Sequence, residues 1–245
     1  MKITTLEISD KKILMTAEFR PIADFSGKNI SRYHAAARFI NADNFLDSPE
    51  PLIDLCEETE FSNNVADFLF DTICNLLKKK EQLTLAFSLP YQRLNDMDYL
   101  TTLYHQCLQN DIQPQHIEIA ISEKFSGDKL INSQPFLNKA KEYGFILSLD
   151  NFGIGDLQIN GLHSLPFDSI KIDRAIIHGI STDKMKQSTL QRLISDVIPT
   201  GIEVICDGAE RTSDLALLKR FHADIKGYML RRPLTCAQLQ LLEDF

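Results

Sequence analysis

The chain has 245 residues, a formal net charge of −8 and a hydrophobic fraction of 44%. This hydrophobic fraction excludes a disordered regulator, and the acidic balance argues against non-specific DNA binding, which needs a basic face. The length suits one β/α barrel. No apolar run approaches the roughly 18 residues needed to cross a bilayer. The five cysteines form no CxxC pair and no signal peptide is recognisable, so we predict a reducing, cytoplasmic location.

The predicted elements begin with two strands, at residues 12–22 and 30–40, joined by the turn residues 24–29. Helix and strand then alternate. The predicted helices are residues 62–80, 93–109, 134–143, 183–198 and 212–221. The predicted strands between them are residues 84–88, 117–121, 145–149, 169–172 and 202–206. Such alternation predicts a mainly parallel sheet, with an antiparallel hairpin at the N-terminal end.

The candidate site lies at and beyond the strand at 145–149. Asp150 and Asn151 stand at its end, and a loop with Gly153 and Gly155 follows. Glycines in such a loop let the backbone take a positive φ and approach a ligand closely. The next strand carries Lys171. Polar groups at the C-terminal ends of buried strands are how a β/α barrel assembles a site.

The order and spacing of these residues resemble the EAL domain family, which has an Asp-Asp-Phe-Gly-Thr-Gly loop followed by Lys-Ile-Asp. Further segments follow the family order along nearly the whole chain: Arg20-Pro21-Ile22, His34-Ala35-Ala36, residues 85–89, Ala120-Ile121-Ser122-Glu123, Asp207-Gly208-Ala209-Glu210 and Lys226-Gly227-Tyr228. The resemblance implies an α/β fold, a modified (β/α)8 TIM-like barrel of EAL type. It also implies one degenerate EAL domain over residues 1–245. EAL domains are cyclic di-GMP phosphodiesterases or inactive relatives of them.

Several functional positions of the family are kept. By resemblance, Arg38 is the arginine that contacts nucleotide phosphate, and Glu123 is the glutamate that steadies the loop after the Asp-Asp strand. The resemblance also identifies three remnants of the catalytic site: Asp150, Lys171 and Asp207. Asp207 stands where the family has the longer glutamate side chain. Asp150 and Lys171 could be an active acid–base pair or a buried ion pair left from an enzyme ancestor. We favour the ion pair, because the metal cluster is missing.

The positions that bind metal in the family are changed. His34, Ser88, Ala120 and Asn151 stand where the family has two glutamates, an asparagine and an aspartate. The family reaction uses two divalent metals to activate water and neutralise charge, and Mg²⁺ requires oxygen ligands in near-octahedral geometry. Ala120 offers no ligand, and imidazole suits Mg²⁺ poorly. We therefore predict no metal, no cofactor and no enzymatic activity, and we favour His34 as a hydrogen-bonded packing residue over a transition-metal ligand.

Two cations add to this loss. Arg20 and Lys226 replace family glutamines. Together with the three missing carboxylates, they move the formal charge of the site by about five units toward positive, which opposes a divalent ion.

Three functions remain possible under this resemblance. The first is an inactive regulator that binds another cytoplasmic protein, such as a basic DNA-binding regulator, in cyclic di-GMP-related control of motility or biofilm. The second is a metal-independent cyclic di-GMP receptor that binds through Arg20, Arg38, Glu123, Phe152 and Lys226. The third is a weak phosphodiesterase that uses Asp150, Lys171 and Asp207. We favour the first, and we predict no direct nucleic-acid partner and no membrane partner.

Overall fold

A computed structural model describes residues 4–8, 11–41, 44–46, 60–124, 126–157, 159–221, 223–227, 230 and 232–242. Its strands are β1 (Thr4–Ile8), β2 (Lys11–Ala23), β3 (Ile30–Asn41), β4 (Asn44–Leu46), β5 (Leu85–Ser88), β6 (Ile117–Ser122), β7 (Ile146–Phe152), β8 (Ser169–Ile172), β9 (Glu203–Asp207), β10 (Asp224–Lys226) and β11 (Leu234–Thr235). Its helices are α1 (Glu60–Leu77), α2 (Met97–Gln109), α3 (Gly127–Asn132), α4 (Gln134–Glu142), α5 (Ile159–His163), α6 (Arg174–Ile177), α7 (Lys184–Val197), α8 (Thr212–Leu218) and α9 (Cys236–Gln240).

The sheet closes into a barrel. Its hydrogen-bonded strands follow the order β2-β10-β9-β8-β7-β6-β5-β3, and β3 pairs with β2 to complete a circle of eight strands. Within this circle, β2 is antiparallel to its two neighbours β10 and β3, while the other adjacent strands pair in parallel. The predicted α/β class and modified TIM-like barrel are therefore confirmed, including the antiparallel hairpin of β2 and β3.

The long hairpin has two different faces. Along β2, Met15, Ala17 and Phe19 are buried in the hydrophobic core, whereas the alternating residues Glu18 and Arg20 are only partly buried. This period of two is the expected behaviour of a strand that packs one face on a core. The face that carries Glu18 and Arg20 is the one that leads to the site, because Arg20 lies opposite His34 in the register.

The predicted helices and strands are confirmed, with shifts at their ends that have local causes. Helix α2 begins at Met97 rather than at residue 93, because the Asp96 side chain accepts a hydrogen bond from the Tyr99 amide and caps the helix there. Strand β7 continues to Phe152 rather than ending at residue 149, because Asp150 still pairs with Ser122 of β6 and Phe152 pairs with Ile172 of β8. Asp150 and Asn151 therefore belong to the strand end itself.

Candidate functional site

The strand ends bring the predicted site positions together. The register places these residues opposite one another: Arg20 and His34, Ser88 and Ala120, Ser122 and Asp150, Asp207 and Lys226. These are separate motifs, far apart in the chain, that meet at neighbouring strand ends. The short strand β10, which sequence patterning did not predict, aligns Lys226 with Asp207.

Lys226 and His34 fill the centre of this site. The Lys226 ammonium donates to Asp207 Oδ2 at 2.8 Å and lies 3.5 Å from His34 Nδ1. Lys226 is only 5% exposed. Burial opposes its charge, but Asp207 and Asp150 outweigh burial and hold the pKa of Lys226 above its ordinary value. The ammonium is therefore a permanent cation inside the site.

His34 is held neutral. Burial first, and then the positive charges of Lys171 and Lys226, lower its pKa well below the ordinary value. An ammonium can only donate, so Nδ1 accepts from Lys226 and the ring proton lies on Nε2. Nε2 then donates to Ser88 Oγ, 3.2 Å away. In this tautomer the imidazole cannot take a proton from Ser88, so the pair is not an activated serine nucleophile.

Asn151 is fixed by its neighbours. Its backbone has a φ of 60°. Its amide oxygen accepts from Ser122 Oγ at 2.9 Å, and its amide nitrogen donates to Asp173 Oδ2 at 3.0 Å. Asp173 also accepts from the Ala175 amide and caps α6. The side chain of Asn151 is thus oriented by two polar partners.

These residues do not fit a pair of divalent metals. Ala120 has no side-chain atom that could bind a metal. The Asn151 oxygen accepts a hydrogen bond from Ser122, and the Lys226 ammonium pairs with Asp207. Within the part of the chain that the structure describes, no group of three or more histidine, cysteine, aspartate or glutamate side chains could hold a metal ion. Divalent cations need several oxygen ligands and are repelled by a neighbouring positive charge.

Lys171 does not pair with Asp150, so the expected ion pair between them is wrong. Lys171 Nζ lies 2.6 Å from Glu118 Oε1 and donates to Ser148 Oγ at 3.0 Å. Both charged side chains are 0% exposed. The reason is position along the strands: Lys171 lies inside the barrel next to Glu118, whereas Asp150 lies at the end of β7 and accepts from the Asn151 amide.

Glu118 joins Lys171 to a larger buried network. Its second oxygen accepts from Arg32 Nη1 at 2.8 Å, and Ser148 Oγ donates to the first at 2.6 Å. Burial would raise the pKa of Glu118, but Lys171 and Arg32 lower it to about 2. Arg32 also pairs with Glu203. Lys171 is thus part of the internal structure of the barrel.

Glu123 steadies the loop after β7, as the resemblance implies. Its Oε2 accepts from the amides of Gly153 and Gly155 at 2.7 and 3.0 Å. A Cβ on Gly155 would lie 2.6 Å from the Glu123 carbonyl oxygen, so only glycine fits there. Burial raises the pKa of the Glu123 carboxyl. Phe152 is 3% exposed and packs in the core, so its ring offers little surface to a ligand.

Arg20 of β2 and Arg38 of β3 converge on Glu18. Arg20 Nε donates to Glu18 Oε1 at 3.0 Å, and Arg38 Nη2 donates to the same oxygen. The Nη1 atom of Arg38 is buried and has no hydrogen-bond partner. Two of the three predicted phosphate donors, Arg20 and Arg38, are therefore already matched to an internal carboxylate.

Comparison with known proteins supports the same family. The EAL domain family model matches residues 7–233. The chain belongs to the EAL domain family. The match lies within the predicted single domain of residues 1–245, which stays a prediction.

Relatives of this EAL domain include signalling proteins of several bacteria. It is 24% identical over 228 residues to the cyclic di-GMP phosphodiesterase NbdA of Pseudomonas aeruginosa, covering 91% of this chain and 29% of the relative. It is 24% identical over 227 residues to the biofilm architecture maintenance protein MbaA of Vibrio cholerae, covering 90% of this chain and 28% of the relative. The chain thus spans less than a third of the length of these relatives.

Solved structures share the fold of this EAL domain. The PaMucR phosphodiesterase in its c-di-GMP complex has a TM-score of 0.85 and 19% identity, covering 92% of this chain and 94% of that one. The FimX EAL domain of Pseudomonas aeruginosa bound to c-di-GMP has a TM-score of 0.79 and 21% identity, covering 91% and 92%. Among the described residues of this EAL domain, no helix is both long and apolar enough to span a bilayer.

Sequence reasoning missed two residues that organise this site. Glu118 lies two residues before Ala120, and Glu18 lies two before Arg20. In a strand, residues two apart point to the same face, so both carboxylates could have been assigned to the inner face from their spacing. What spacing does not give is their partners on other strands.

Proposed function

We propose that this EAL domain is a non-hydrolytic regulator that acts by binding another protein in cyclic di-GMP-related control of motility or biofilm formation. The observation that carries the proposal is the Lys226 ammonium, which lies 2.8 Å from Asp207 and contacts neutral His34. A divalent ion at Asp207 would have to displace this cation. The names of the relatives support the signalling setting, since they include a cyclic di-GMP phosphodiesterase and a biofilm architecture protein.

Loss of the metals would remove the reaction. Metal ions supply both the hydroxide nucleophile and the charge that stabilises the leaving oxygen. The remaining groups do not replace them: Ser88 accepts a hydrogen bond from His34, and Lys171 is paired with Glu118 inside the barrel. The chain would then act through its surface.

Hydrolysis can be tested directly. The purified protein is incubated with cyclic di-GMP and Mg²⁺ or Mn²⁺, and the linear dinucleotide pGpG is measured. We expect no product above a no-protein control, while an active EAL phosphodiesterase treated identically gives product. Product that is formed by this chain and abolished by EDTA would contradict the proposal and favour a weak phosphodiesterase.

The protein partner requires a second test. The net charge of −8 suits a basic partner, for example a cytoplasmic DNA-binding regulator, and a specific interface should bury at least about 1,000 Å². Cross-linking in cells is compared for the natural chain and a variant with Asp150→Asn and Asp207→Asn. Lys171 is left unchanged because its loss would leave Glu118 buried without its ammonium, and thermal unfolding must show that the variant folds without the ion pair of Asp207 and Lys226. We expect the same partner from both proteins.

Loss of the partner would instead connect binding with the pocket. A partner captured by the natural chain and lost with the double aspartate variant would contradict a surface mode of action. Charge reversals on the exposed faces of the outer helices provide the complementary series. Charge reversal on one of these helices should abolish capture of the partner without changing the thermal unfolding of the protein.

A metal-independent cyclic di-GMP receptor is the second candidate. Two observations favour it: Arg38 has a buried Nη1 without a partner, and Glu123 still holds the loop of Gly153 and Gly155. Calorimetry with cyclic di-GMP in EDTA tests this function. Binding should weaken with added salt and be lost in Arg38→Ala, because Arg suits phosphate by its planar, bidentate geometry. Binding that requires Mg²⁺ would contradict it.

A further inference from the structure

The carboxylate of Glu18 lies between two guanidinium groups on the inner face of the hairpin. Glu18 is opposite Ala36 in the register, so Arg20 is its neighbour along β2 and Arg38 is its diagonal neighbour on β3. One oxygen, Oε1, accepts from Arg20 Nε and from Arg38 Nη2. The side chains of Glu18 and Arg38 are only 18% and 12% exposed. This is a convergent arrangement of two cations on one anion.

The arrangement leaves donor capacity unused. Arg38 Nη1 is buried and has no hydrogen-bond partner. A guanidinium presents parallel donors that match an oxyanion with two or more oxygens, and Glu18 engages Arg38 only through Nη2. A tetrahedral oxyanion offers more acceptors than this single carboxylate oxygen, so it could engage Nη1 as well.

We propose that Glu18 is an internal ligand of Arg20 and of Arg38, the arginine that the family resemblance assigns to phosphate, and that it competes there with a phosphate-class oxyanion. The inference rests on the receptor function considered above, because Glu18 would compete with the phosphate of the nucleotide for the same two arginines. It identifies Glu18 as the residue that sets the affinity of the pocket for nucleotide.

The competition has a simple physical basis. Glu18 is tethered to the strand beside Arg20, so its effective concentration at the two arginines is far above that of any free ligand. A phosphate must break two charge-assisted hydrogen bonds before it can form its own. It must also approach a carboxylate of the same sign. Removal of the Glu18 charge weakens both hydrogen bonds and removes the repulsion.

The experiment measures binding of two probes, inorganic phosphate and cyclic di-GMP, by calorimetry in EDTA. We compare the natural chain with Glu18→Gln, which keeps the side-chain shape and removes the charge. Glu18→Gln should bind at least one probe about ten-fold more tightly than the natural chain, or bind where the natural chain does not. The double variant Glu18→Gln with Arg38→Ala should lose the gain.

A matched control separates local release from a change of net charge. Glu142→Gln removes the same charge from an exposed ion pair with Lys139 on helix α4, and it should leave both affinities unchanged. If Glu18→Gln does not fold, Glu18→Asp withdraws the carboxylate by one methylene and should give a smaller gain in the same direction. Equal affinities in the natural chain and the Glu18 variants would overturn the inference, as would a gain that survives Arg38→Ala.

The probes also separate this inference from the receptor function. If the natural chain binds no cyclic di-GMP while Glu18→Gln does so through Arg38, the Glu18 assignment stands and the natural chain is not a receptor. If Glu18→Gln raises the affinity for inorganic phosphate but not for cyclic di-GMP, a phosphate subsite exists at Arg20 and Arg38 without a nucleotide pocket around it. If the natural chain already binds tightly and Glu18→Gln adds nothing, the receptor function stands and the Glu18 assignment fails.

Discussion

Lys171 and Glu118 are oppositely charged, fully buried and 2.6 Å apart. Breaking such a pair by removing one member leaves an uncompensated buried charge, which typically costs about 3–5 kcal/mol. We expect Lys171→Met to lower the free energy of unfolding toward the low end of this range, because Glu118 keeps Arg32 as a partner. Urea unfolding measures the change.

The control for this variant is an exposed ion pair. Lys139→Met removes an ammonium that pairs with Glu142 on the surface of helix α4. Exposed pairs contribute about 0–1 kcal/mol, so this variant should be nearly neutral. A Lys171→Met protein as stable as Lys139→Met would show that the buried ammonium is not needed by the barrel.

The same buried carboxyl should make stability depend on pH. The pKa of Glu118 is lowered from 4.5 to about 2 in the folded chain. A carboxyl whose pKa is lower in the folded chain stabilises the fold at pH values above its pKa in the unfolded chain. This stabilisation is lost as the pH falls through the pKa of the folded chain. The loss attributable to Glu118 should therefore lie between about pH 4.5 and pH 2.

Comparison with Glu118→Gln isolates this contribution. The natural chain should exceed the variant in free energy of unfolding at about pH 7, and the difference should shrink at about pH 3. Urea unfolding at both values provides the measurement. A difference that is the same at both would place the titration elsewhere.

At the scale of an element, the loop after β7 is held by one side chain from the end of β6. Glu123 accepts from the Gly153 and Gly155 amides. Glu123→Ala should leave both amides without their acceptor and raise their hydrogen-exchange rates, because these two bonds no longer oppose local opening of the loop. Exchange measured by mass spectrometry over residues 150–157 reports it. Glu123→Gln keeps an acceptor oxygen and should exchange more slowly than Glu123→Ala. Equal rates in the natural chain and Glu123→Ala would show that the loop is held by other contacts.

At the scale of the whole molecule, the predicted loss of metal ligands and the Lys226 ammonium are two separate obstacles to binding a divalent ion. We expect a variant with His34→Glu, Ser88→Asn, Ala120→Glu and Asn151→Asp not to bind Mn²⁺. The reason is that the Lys226 ammonium would still neutralise Asp207 and repel the ion. Adding Lys226→Gln should allow binding, measured by calorimetry.

Control measurements keep that comparison interpretable. Both multiple variants need thermal unfolding curves, because Ala120 is buried and a larger side chain there can strain the core. Lys226→Gln alone should bind no Mn²⁺, since the ligands are still missing. Tight Mn²⁺ binding by the four-residue variant with Lys226 intact would show that the ammonium is not a barrier.

The sequence by itself determined the family, the hairpin and the alternation of helices and strands, and it predicted the loss of metal ligands. These features depend on residue type and on spacing along one element, such as the period of two in β2 and the order of short motifs. The role of Glu123 also followed from the resemblance, and the structure agrees with it.

Only the tertiary structure decided which charges meet. Lys171 pairs with Glu118 instead of Asp150, Lys226 neutralises Asp207, and Glu18 binds Arg20 and Arg38. The physical reason is that an ion pair forms between side chains a few ångströms apart on different strands. Strand register and depth inside the barrel set those distances, and spacing along the chain encodes neither of them.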